Sequence, residues 1–186
     1  FLNKKVILCF GVISPRKGQD VIINAFKKIQ ESLPNHILVI AGKAPKEFHS
    51  YEKQIQAISG KLQNDNRIYF TGLIDDDEID ALFNLSEVGL YLYRPMSSST
   101  YALTYAIQYE KPVIATKLDT FFEILDRDYP LLVEYDDVQS LANAIQTLCN
   151  DEEMRLKLSQ KMKLLKNQFS WENSAKKNLE VYKELL

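Results

Sequence analysis

Short apolar runs alternate with amphipathic stretches along most of the chain, and this alternation constrains the fold more than any single motif does. Continuous apolar runs of a few residues are typical of strands that are buried on both faces of a sheet. The runs read KKVILCFG, HILVIAG, RIYFTG, VGLYLY, KPVIAT and PLLVEY. Between them, apolar residues such as Ile22, Phe26 and Ile29 recur at helical spacing. Strands that alternate with helices predict βαβ units, so the predicted fold class is α/β, with a doubly wound, Rossmann-like and mostly parallel sheet.

The chain beyond PLLVEY differs, because its apolar residues recur only at helical spacing. Three apolar stripes predict three consecutive C-terminal helices. The stripes are Val138, Leu141, Ala142, Ile145 and Leu148, then Leu158, Met162, Leu165 and Phe169, and finally Ala175, Leu179, Tyr182 and Leu186. Neither a tandem repeat nor a low-complexity linker divides the sequence. We therefore expect residues 1–186 to form a single domain.

Composition and charge exclude several classes of protein. The net charge of −2 provides no field that would attract nucleic acid or an anionic membrane. Every apolar run is far shorter than the ~18 residues of a membrane-spanning helix, and the N-terminal residues lack the cleavage site of a secretory signal. Cys9 and Cys149 both lie in apolar patterns, which predicts buried, reduced thiols. We expect a cytoplasmic protein with no transmembrane segment and no nucleic-acid partner.

The loop after the first predicted strand, GVISPRKGQD, is a candidate anion site. Ligands of open parallel sheets bind beyond the carboxyl ends of the strands. Gly11 would let a ligand approach the backbone, and Lys17 directly precedes a helix that should begin near Gln19 or Asp20, an arrangement suited to a diphosphate. The loop matches neither GxxxxGK[ST] nor GxGxxG. On composition alone, a solvated surface lysine is the better interpretation of Lys17 until another motif supports the site.

A run of four hydroxyl residues, Ser97 to Thr100, precedes the apolar stretch TYALTYAIQYE. Such residues are common N-caps, since they accept hydrogen bonds from the unpaired amides of a first helical turn. Four hydroxyls are more than one cap requires, and hydroxyls that converge with amides at a helix N-terminus also bind phosphate well. Capping and phosphate binding are equally good interpretations, and the two can coexist.

The other polar clusters favour structural roles. The acidic run Asp75 to Glu78 lacks the alternating spacing of a calcium loop and suits the first turn of a helix. His36 and His49 have no partners at metal-ligand spacing, so we predict no metal site and no Ser/His/Asp triad. Without a surrounding basic field, five tyrosines are expected to be core and pocket walls rather than base-stacking platforms. These are Tyr91, Tyr93, Tyr101, Tyr105 and Tyr109.

Six segments in a fixed order resemble the C-terminal domain of a GT-B glycosyltransferase of the group 1 (family 4) type. They are ILCFGVISPRKGQDVIINAFKKI, ILVIAGKAP, RIYFTGLIDDDEIDALFNLSEVGLYLY, SSSTYALTYAIQYEKPVIAT, LLVEYDDVQSLANAIQTLCNDEEMRLKLSQ and FSWENSAKKNLEVYKELL, and they span essentially the whole chain. The resemblance implies a domain that binds a nucleotide-sugar donor. A separate N-terminal domain, absent from these 186 residues, would bind the acceptor and make any contact with a membrane.

The resemblance also implies roles for individual residues. Lys17 matches the family lysine that contacts the donor diphosphate and stabilises the leaving group. Gly42 matches the glycine of the loop after the second strand, and Leu73 matches the residue that packs on the base and hydrogen-bonds it through its backbone. The segment whose amides bind the diphosphate at a helix N-terminus is matched by Ser99, Thr100 and Tyr101.

The sequence departs from the family pattern at three positions. Val12 replaces a basic residue that is frequent after the first glycine. Two family glutamates, one directed at the sugar and one at the ribose hydroxyls, are replaced by Ser97 and Tyr105. Some members of the family resemble this chain in having a serine-rich turn and a tyrosine at these positions, so Ser97 and Tyr105 are included in the predicted donor site.

The function implied by the resemblance is retaining transfer of a hexose-type sugar from UDP, GDP or a similar carrier to a glycan or a lipid-linked acceptor. The resemblance implies no metal and no cofactor beyond the donor itself. No carboxylate of the chain stands out as a nucleophile, so retention would depend on front-face attack by the acceptor. Two alternatives remain open: a GT-B sugar epimerase with the same nucleotide pocket, and a degenerate domain that binds a nucleotide or a partner without transfer.

Overall fold

The computed structural model describes residues 3–95 and 101–184, and these form one parallel sheet with flanking helices. Its strands are β1 (Lys5–Phe10), β2 (His36–Ala41), β3 (Ile68–Gly72), β4 (Ser86–Tyr91), β5 (Val113–Thr116) and β6 (Leu132–Val133). The order across the sheet is β3-β2-β1-β4-β5-β6, and all neighbours run parallel. This is the strand order of a doubly wound domain, so the predicted fold class is confirmed.

The helices lie between and after the strands, as the sequence predicts. They are α1 (Gln19–Ile29), α2 (His49–Ser59), α3 (Lys61–Asn64), α4 (Asp76–Leu85), α5 (Tyr101–Gln108), α6 (Asp119–Leu125), α7 (Val138–Asn150), α8 (Glu152–Gln168) and α9 (Trp171–Glu184). Single 3-10 turns at Pro15–Lys17 and Lys46–Phe48 precede α1 and α2. The acidic run begins α4, where Asp75 and Glu78 form a capping box, which confirms its structural role.

The sheet and the first helices share one hydrophobic core. All six residues of β2 are buried, which explains why the run HILVIA has no polar alternation. Ile22 and Phe26 of α1 are fully buried, and α1 packs against both α2 and α7. Cys9 and Cys149 are buried and unbridged, as predicted.

The C-terminal helices form as predicted, but the third apolar stripe does not pack into the core. The first two stripes are buried apart from their ends, since Val138 is only partly buried and Phe169 is half exposed. In α9, by contrast, Leu179 and Tyr182 are largely exposed, and none of its residues is buried. The stripe predicts a face that is suited to burial, but no part of the described chain covers it.

A charge cluster closes the amino edge of the sheet. Glu87 on β4 accepts from the Nζ of Lys5 at 2.9 Å and contacts the Nε2 of His36 at 3.2 Å. Burial alone would raise the pKa of Glu87, but these hydrogen bonds outweigh it and lower the pKa to about 2. His36 thus has a structural partner at the edge opposite the predicted ligand side.

We expect Glu87→Gln to lower the free energy of unfolding by about 1–2 kcal/mol at neutral pH, allowing for solvent screening of a partly exposed group. The contribution of the carboxylate is present above its ordinary pKa of 4.5 and is lost as the pH falls through about 2. Urea unfolding of both proteins from pH 7 down to pH 2 measures this difference. A gap between them that stays constant at acid pH would contradict the electrostatic explanation.

Candidate functional site

The loops that follow β1, β2, β3 and β4 meet at the carboxyl edge of the sheet. The chain continues from β1 to β2 and β3 on one side and returns to β4 on the other. Such a reversal of strand order separates the flanking loops and leaves a crevice, which is where ligands of open α/β sheets bind. The predicted donor residues outside the run Ser97 to Thr100 all lie on or beside these loops or at the start of α5.

Backbone hydrogen bonds join the first three of these loops. The amide of Gly11 donates to the carbonyl oxygen of Ala41 at 2.9 Å, and the amide of Gly42 donates to the carbonyl oxygen of Gly72 at 3.0 Å. Gly42 has a φ of +143°, and a Cβ at this position would lie 2.0 Å from the carbonyl oxygen of Gly11. Only glycine allows these two backbones to approach so closely.

A cleft of about 260 Å³, the edge cleft, lies over this bonded backbone. It is lined by Phe10, Gly11, Val12, Ala41, Gly42, Lys43, Leu73, Ile74 and Ile79. The side chain of Leu73 is 77% exposed at its margin. The edge cleft thus brings together Gly11, Gly42 and Leu73, and its walls are mostly apolar.

Lys17 lies toward β4 at the end of the 3-10 turn. Gly18 follows it in the left-handed conformation, with a φ of +65°, and a Cβ there would lie 2.2 Å from the carbonyl oxygen of Leu92. The loop after β1 is therefore in direct backbone contact with the loop after β4. The Nζ of Lys17 lies 3.4 Å from the centre of the Tyr93 ring.

The environment of Lys17 differs from that of a surface lysine. Burial, followed by repulsion from Arg16, lowers the pKa of Lys17 to about 8, and the nearby Cys9 opposes the shift. An ammonium with such a pKa keeps its charge at neutral pH, and its partial burial limits screening by water. Lys17 is thus partly buried, with its ammonium over the Tyr93 ring, rather than a fully solvated side chain.

The first turn of α5 lies against Gly11. A Cβ on Gly11 would be 3.5 Å from the Cβ of Ala102, so the helix N-terminus reaches the loop after β1. Tyr101 is the first residue of α5 and is 68% exposed. Three other predicted contacts, Ser97, Ser99 and Thr100, lie outside the described residues, and their phosphate-binding role stays a prediction.

Tyr105 belongs to an aromatic cluster beside the edge cleft. Its ring centre lies 5.0 Å from that of Phe10, in an edge contact, and 5.7 Å from that of Phe83, in a stacked contact. A hydrogen bond with Tyr101 and then burial raise the pKa of Tyr105. The ring therefore packs as a wall, as predicted, and its contact with Phe10 connects it to the cleft.

Sequence reasoning missed Arg94, which joins the loops after β1 and β4. Its backbone amide donates to the carbonyl oxygen of Arg16 at 2.9 Å, and its guanidinium donates to the carbonyl oxygen of Pro15. The guanidinium also bonds Asp20 at 2.8 Å and Asp136 at 2.6 Å. An arginine just after a buried strand, at the edge where ligands bind, is the one local signal that could have identified it.

Residues 3–95 and 101–184 contain neither a metal-binding cluster nor a helix that could span a membrane. Within that part of the chain, no three His, Cys, Asp or Glu side chains are grouped so that they could hold a metal ion. The helices described there are also too short or too polar to cross a bilayer.

Comparison with known sequences gives consistent matches over nearly the whole chain. The family model for group 1 glycosyl transferases matches residues 1–164. MJ1178 of Methanocaldococcus jannaschii, an uncharacterized glycosyltransferase, is 29% identical over 181 residues, which are 96% of this chain and 48% of that protein. The D-inositol 3-phosphate glycosyltransferase of Corynebacterium urealyticum is 23% identical over an alignment of 191 residues, gaps included, and the alignment covers 99% of this chain and 44% of that protein. The chain spans about half the length of the curated relatives that it matches.

Solved structures share the fold. The Anabaena protein HepE, in complex with UDP, superposes with a TM-score of 0.83 and 22% identity, over 98% of this chain and 49% of that one. The C-terminal domain of LpcC from Francisella tularensis, a group 1 family glycosyl transferase, has a TM-score of 0.78 and 26% identity, over 89% of this chain and 85% of that one. Because the family model matches most of the chain, residues 1–164, the chain belongs to the group 1 glycosyltransferases.

Proposed function

We propose that the chain is the donor-binding domain of a longer glycosyltransferase and binds a nucleoside diphosphate sugar at the carboxyl edge of its sheet. The observation that carries this proposal is the edge cleft, which lies over the bonded glycine loops, where the loop after β1 meets the start of α5 at Gly11. The complex of HepE with UDP supports a nucleotide as the ligand, since that protein shares the fold.

In the proposed complex the base lies in the edge cleft beside Leu73, and the diphosphate passes Gly11 toward Lys17. The N-terminus of α5 contributes the positive end of the helix dipole, which favours an anion. Ser97, Ser99 and Thr100, which directly precede this helix in the sequence, are proposed as further contacts.

The proposed reaction is retaining and independent of metal ions. The acceptor hydroxyl attacks the anomeric carbon from the face that the diphosphate leaves, so a carbon–oxygen bond to the acceptor forms as the bond to the phosphate oxygen breaks. The proton of the hydroxyl passes to the leaving phosphate. Lys17 and the helix dipole stabilise the negative charge that develops on the diphosphate, and they act most strongly when the closed cleft excludes water.

The exposed face of α9 supports a partner domain. Trp171, Leu179 and Tyr182 are 92%, 53% and 62% exposed, and contiguous exposed apolar side chains mark interaction surfaces. The chain also matches only about half of its relatives' length. We therefore propose that an N-terminal domain binds the acceptor, packs near α9 and completes the active site.

Calorimetric titration of the isolated chain with UDP, GDP and ADP tests the proposal. We expect one of the three to bind saturably but weakly, because the chain contains the donor cleft without the domain that would close over it. The absence of saturable binding by any of the three at millimolar concentration would contradict the proposed function.

Tyr105 provides a sharper test of the ribose contact. If its hydroxyl bonds the ribose, Tyr105→Phe should weaken nucleotide binding about three- to tenfold. The variant should then lose little further affinity for a nucleotide without the 2′-hydroxyl, since both changes delete the same bond. The melting temperature should hardly change, because the ring keeps its contacts with Phe10 and Phe83. An unchanged affinity would remove Tyr105 from the site and leave it as a packed wall.

A further inference from the structure

We propose that Tyr93 is a positioning residue, whose ring keeps the ammonium of Lys17 in place for the donor diphosphate. The inference rests on the proposed function, because it assigns a role within the same site. It concerns a residue that follows β4 and that the sequence pattern predicts only as core or pocket wall.

The contact between the two side chains is close and direct. The Nζ of Lys17 lies 3.4 Å from the centre of the Tyr93 ring, well inside the ~6 Å within which a cation is attracted to an aromatic face. Burial disfavours the charged form of Lys17, whereas an aromatic face favours it. The ring therefore supplies attraction at a place where the ammonium has lost part of its hydration.

The Tyr93 ring is itself fixed by the core. Its side chain belongs to a residue that is only 3% exposed, and its centre lies 5.1 Å from that of Phe121 and 6.3 Å from that of Tyr91. The hydroxyl of Thr116 donates to the carbonyl oxygen of Tyr93 at 2.9 Å, which anchors the backbone as well. A lysine placed on this ring thus rests on a rigid support.

The hydroxyl of Tyr93 does not contribute to the contact between the ring face and Lys17. Its Oη is buried and has no hydrogen-bond partner among the described residues. An unpartnered buried hydroxyl lowers stability rather than raising it. The ring face, and not the hydroxyl, is the feature that can act on Lys17, so phenylalanine should replace tyrosine without loss.

The backbone around Lys17 is fixed to the same loop. The amide of Arg94 donates to the carbonyl oxygen of Arg16, and Gly18 lies in van der Waals contact with Leu92. A lysine side chain that is flexible in the free protein loses conformational entropy when it binds a phosphate, and a side chain already held in its bound conformation loses less. The two loops together therefore lower the entropic cost of binding the diphosphate.

Three variants separate positioning from mere packing. Tyr93→Leu removes the ring face, and Tyr93→Phe keeps it. Tyr129→Leu is the matched control, because Tyr129 is also 3% exposed and the Nζ of Lys161 lies 5.5 Å from its ring centre. Unlike Tyr93, Tyr129 lies away from the proposed site, and its hydroxyl bonds the backbone of Val113 at the amino end of β5. The probes, measured by calorimetry or NMR titration, are UDP and uridine, or the corresponding GDP and guanosine or ADP and adenosine where one of those diphosphates is the one that binds.

We expect Tyr93→Leu to weaken UDP binding about three- to tenfold and to leave uridine binding unchanged, because only the diphosphate contact depends on Lys17. In a Lys17→Ala background the same change should have no further effect. Tyr93→Phe should bind UDP as the wild type does, as should Tyr129→Leu. Equal losses for UDP and uridine, or a loss that persists without Lys17, would overturn the positioning role.

A measurement without nucleotide tests the contact itself. The ε-methylene protons of Lys17, identified by their absence in Lys17→Arg, should resonate upfield of ordinary lysine values in the wild type and in Tyr93→Phe, because they lie over a ring. A wild-type resonance at the ordinary position would overturn the inference even if Tyr93→Leu does not fold. If the wild-type chain binds none of UDP, GDP and ADP, the proposed function fails. If it binds one of them and Tyr93→Leu binds that nucleotide equally well, only this inference fails.

Discussion

Gly42→Ala is expected to destabilise the chain by about 2–4 kcal/mol and to weaken nucleotide binding at least tenfold. A Cβ at this position would lie 2.0 Å from the carbonyl oxygen of Gly11, and that oxygen belongs to backbone and cannot rotate away. The clash is relieved only if the loops after β1 and β2 separate, and this separation changes the shape of the edge cleft. Urea unfolding and calorimetry measure the two effects.

Gly72→Ala is the matched control for this prediction. Gly72 also has a positive φ, of +70°, but a Cβ there would meet nothing within 4 Å in the part of the chain that the structure describes. Gly72→Ala should lower the free energy of unfolding only by the backbone strain, about 1–2 kcal/mol. Equal destabilisation by the two substitutions would mean that the close backbone approach is not what requires glycine at position 42.

Lys17→Ala is expected to weaken UDP binding by about 1–3 kcal/mol, which is roughly a 5- to 150-fold loss of affinity, the range for losing a charge-assisted bond to phosphate. Lys28→Ala is the control, because Lys28 lies on α1 and its ammonium bonds the exposed Gln139. Calorimetry at pH 7 compares the two variants. Equal losses would indicate a diffuse positive field rather than a specific contact.

The pKa of Lys17 adds a dependence on pH to this prediction. Burial lowers that pKa to about 8, so the free chain loses the charge as the pH rises through this value, and the affinity for a diphosphate should fall above it. Lys17→Arg keeps its charge throughout and should show a flat profile from pH 7 to pH 9.5. Identical profiles for both proteins would contradict the assignment of the charge to Lys17.

The sheet was predictable because each strand carries its own signal. After its first residue, a run such as HILVIA is apolar throughout only if both faces are covered, and a parallel sheet with helices on both sides supplies that cover. The exposure of α9 was not predictable, because an amphipathic stripe indicates that a face can be buried without indicating which chain buries it.

The candidate site was predictable in part, because the strand signals also show which loops lie at the carboxyl edge of the sheet. Gly11 and Gly42 follow strands directly, Lys17 lies in the same loop as Gly11, and the carboxyl edge of a parallel sheet brings such loops together. The contacts of Tyr93 and Arg94 with the loop after β1 join residues that are distant in sequence, and no local pattern encodes them. A buried aromatic residue after a strand is most often core, so the sequence offered no reason to place Lys17 on its ring.

A second groove is the main structural competitor of the edge cleft. It has a volume of about 460 Å³, and it lies at the amino edge of the sheet, where Ser86 begins β4 and Pro112 precedes β5. Lys111 and Arg155 contribute positive charge to it, and a phosphate could be attracted there. Ligands of doubly wound sheets bind at the opposite edge, however, and Lys111 already bonds the carbonyl oxygen of Asn84.

Amide chemical-shift mapping of the 15N-labelled chain, titrated with UDP, GDP and ADP in turn, decides between these two surfaces. With the nucleotide that binds, we predict saturable shifts at Gly11, Lys17, Gly42 and Leu73, on the loops of the carboxyl edge. Saturable shifts confined to Lys111, Arg155 and their neighbours in the groove at the amino edge would contradict the donor site proposed for this chain.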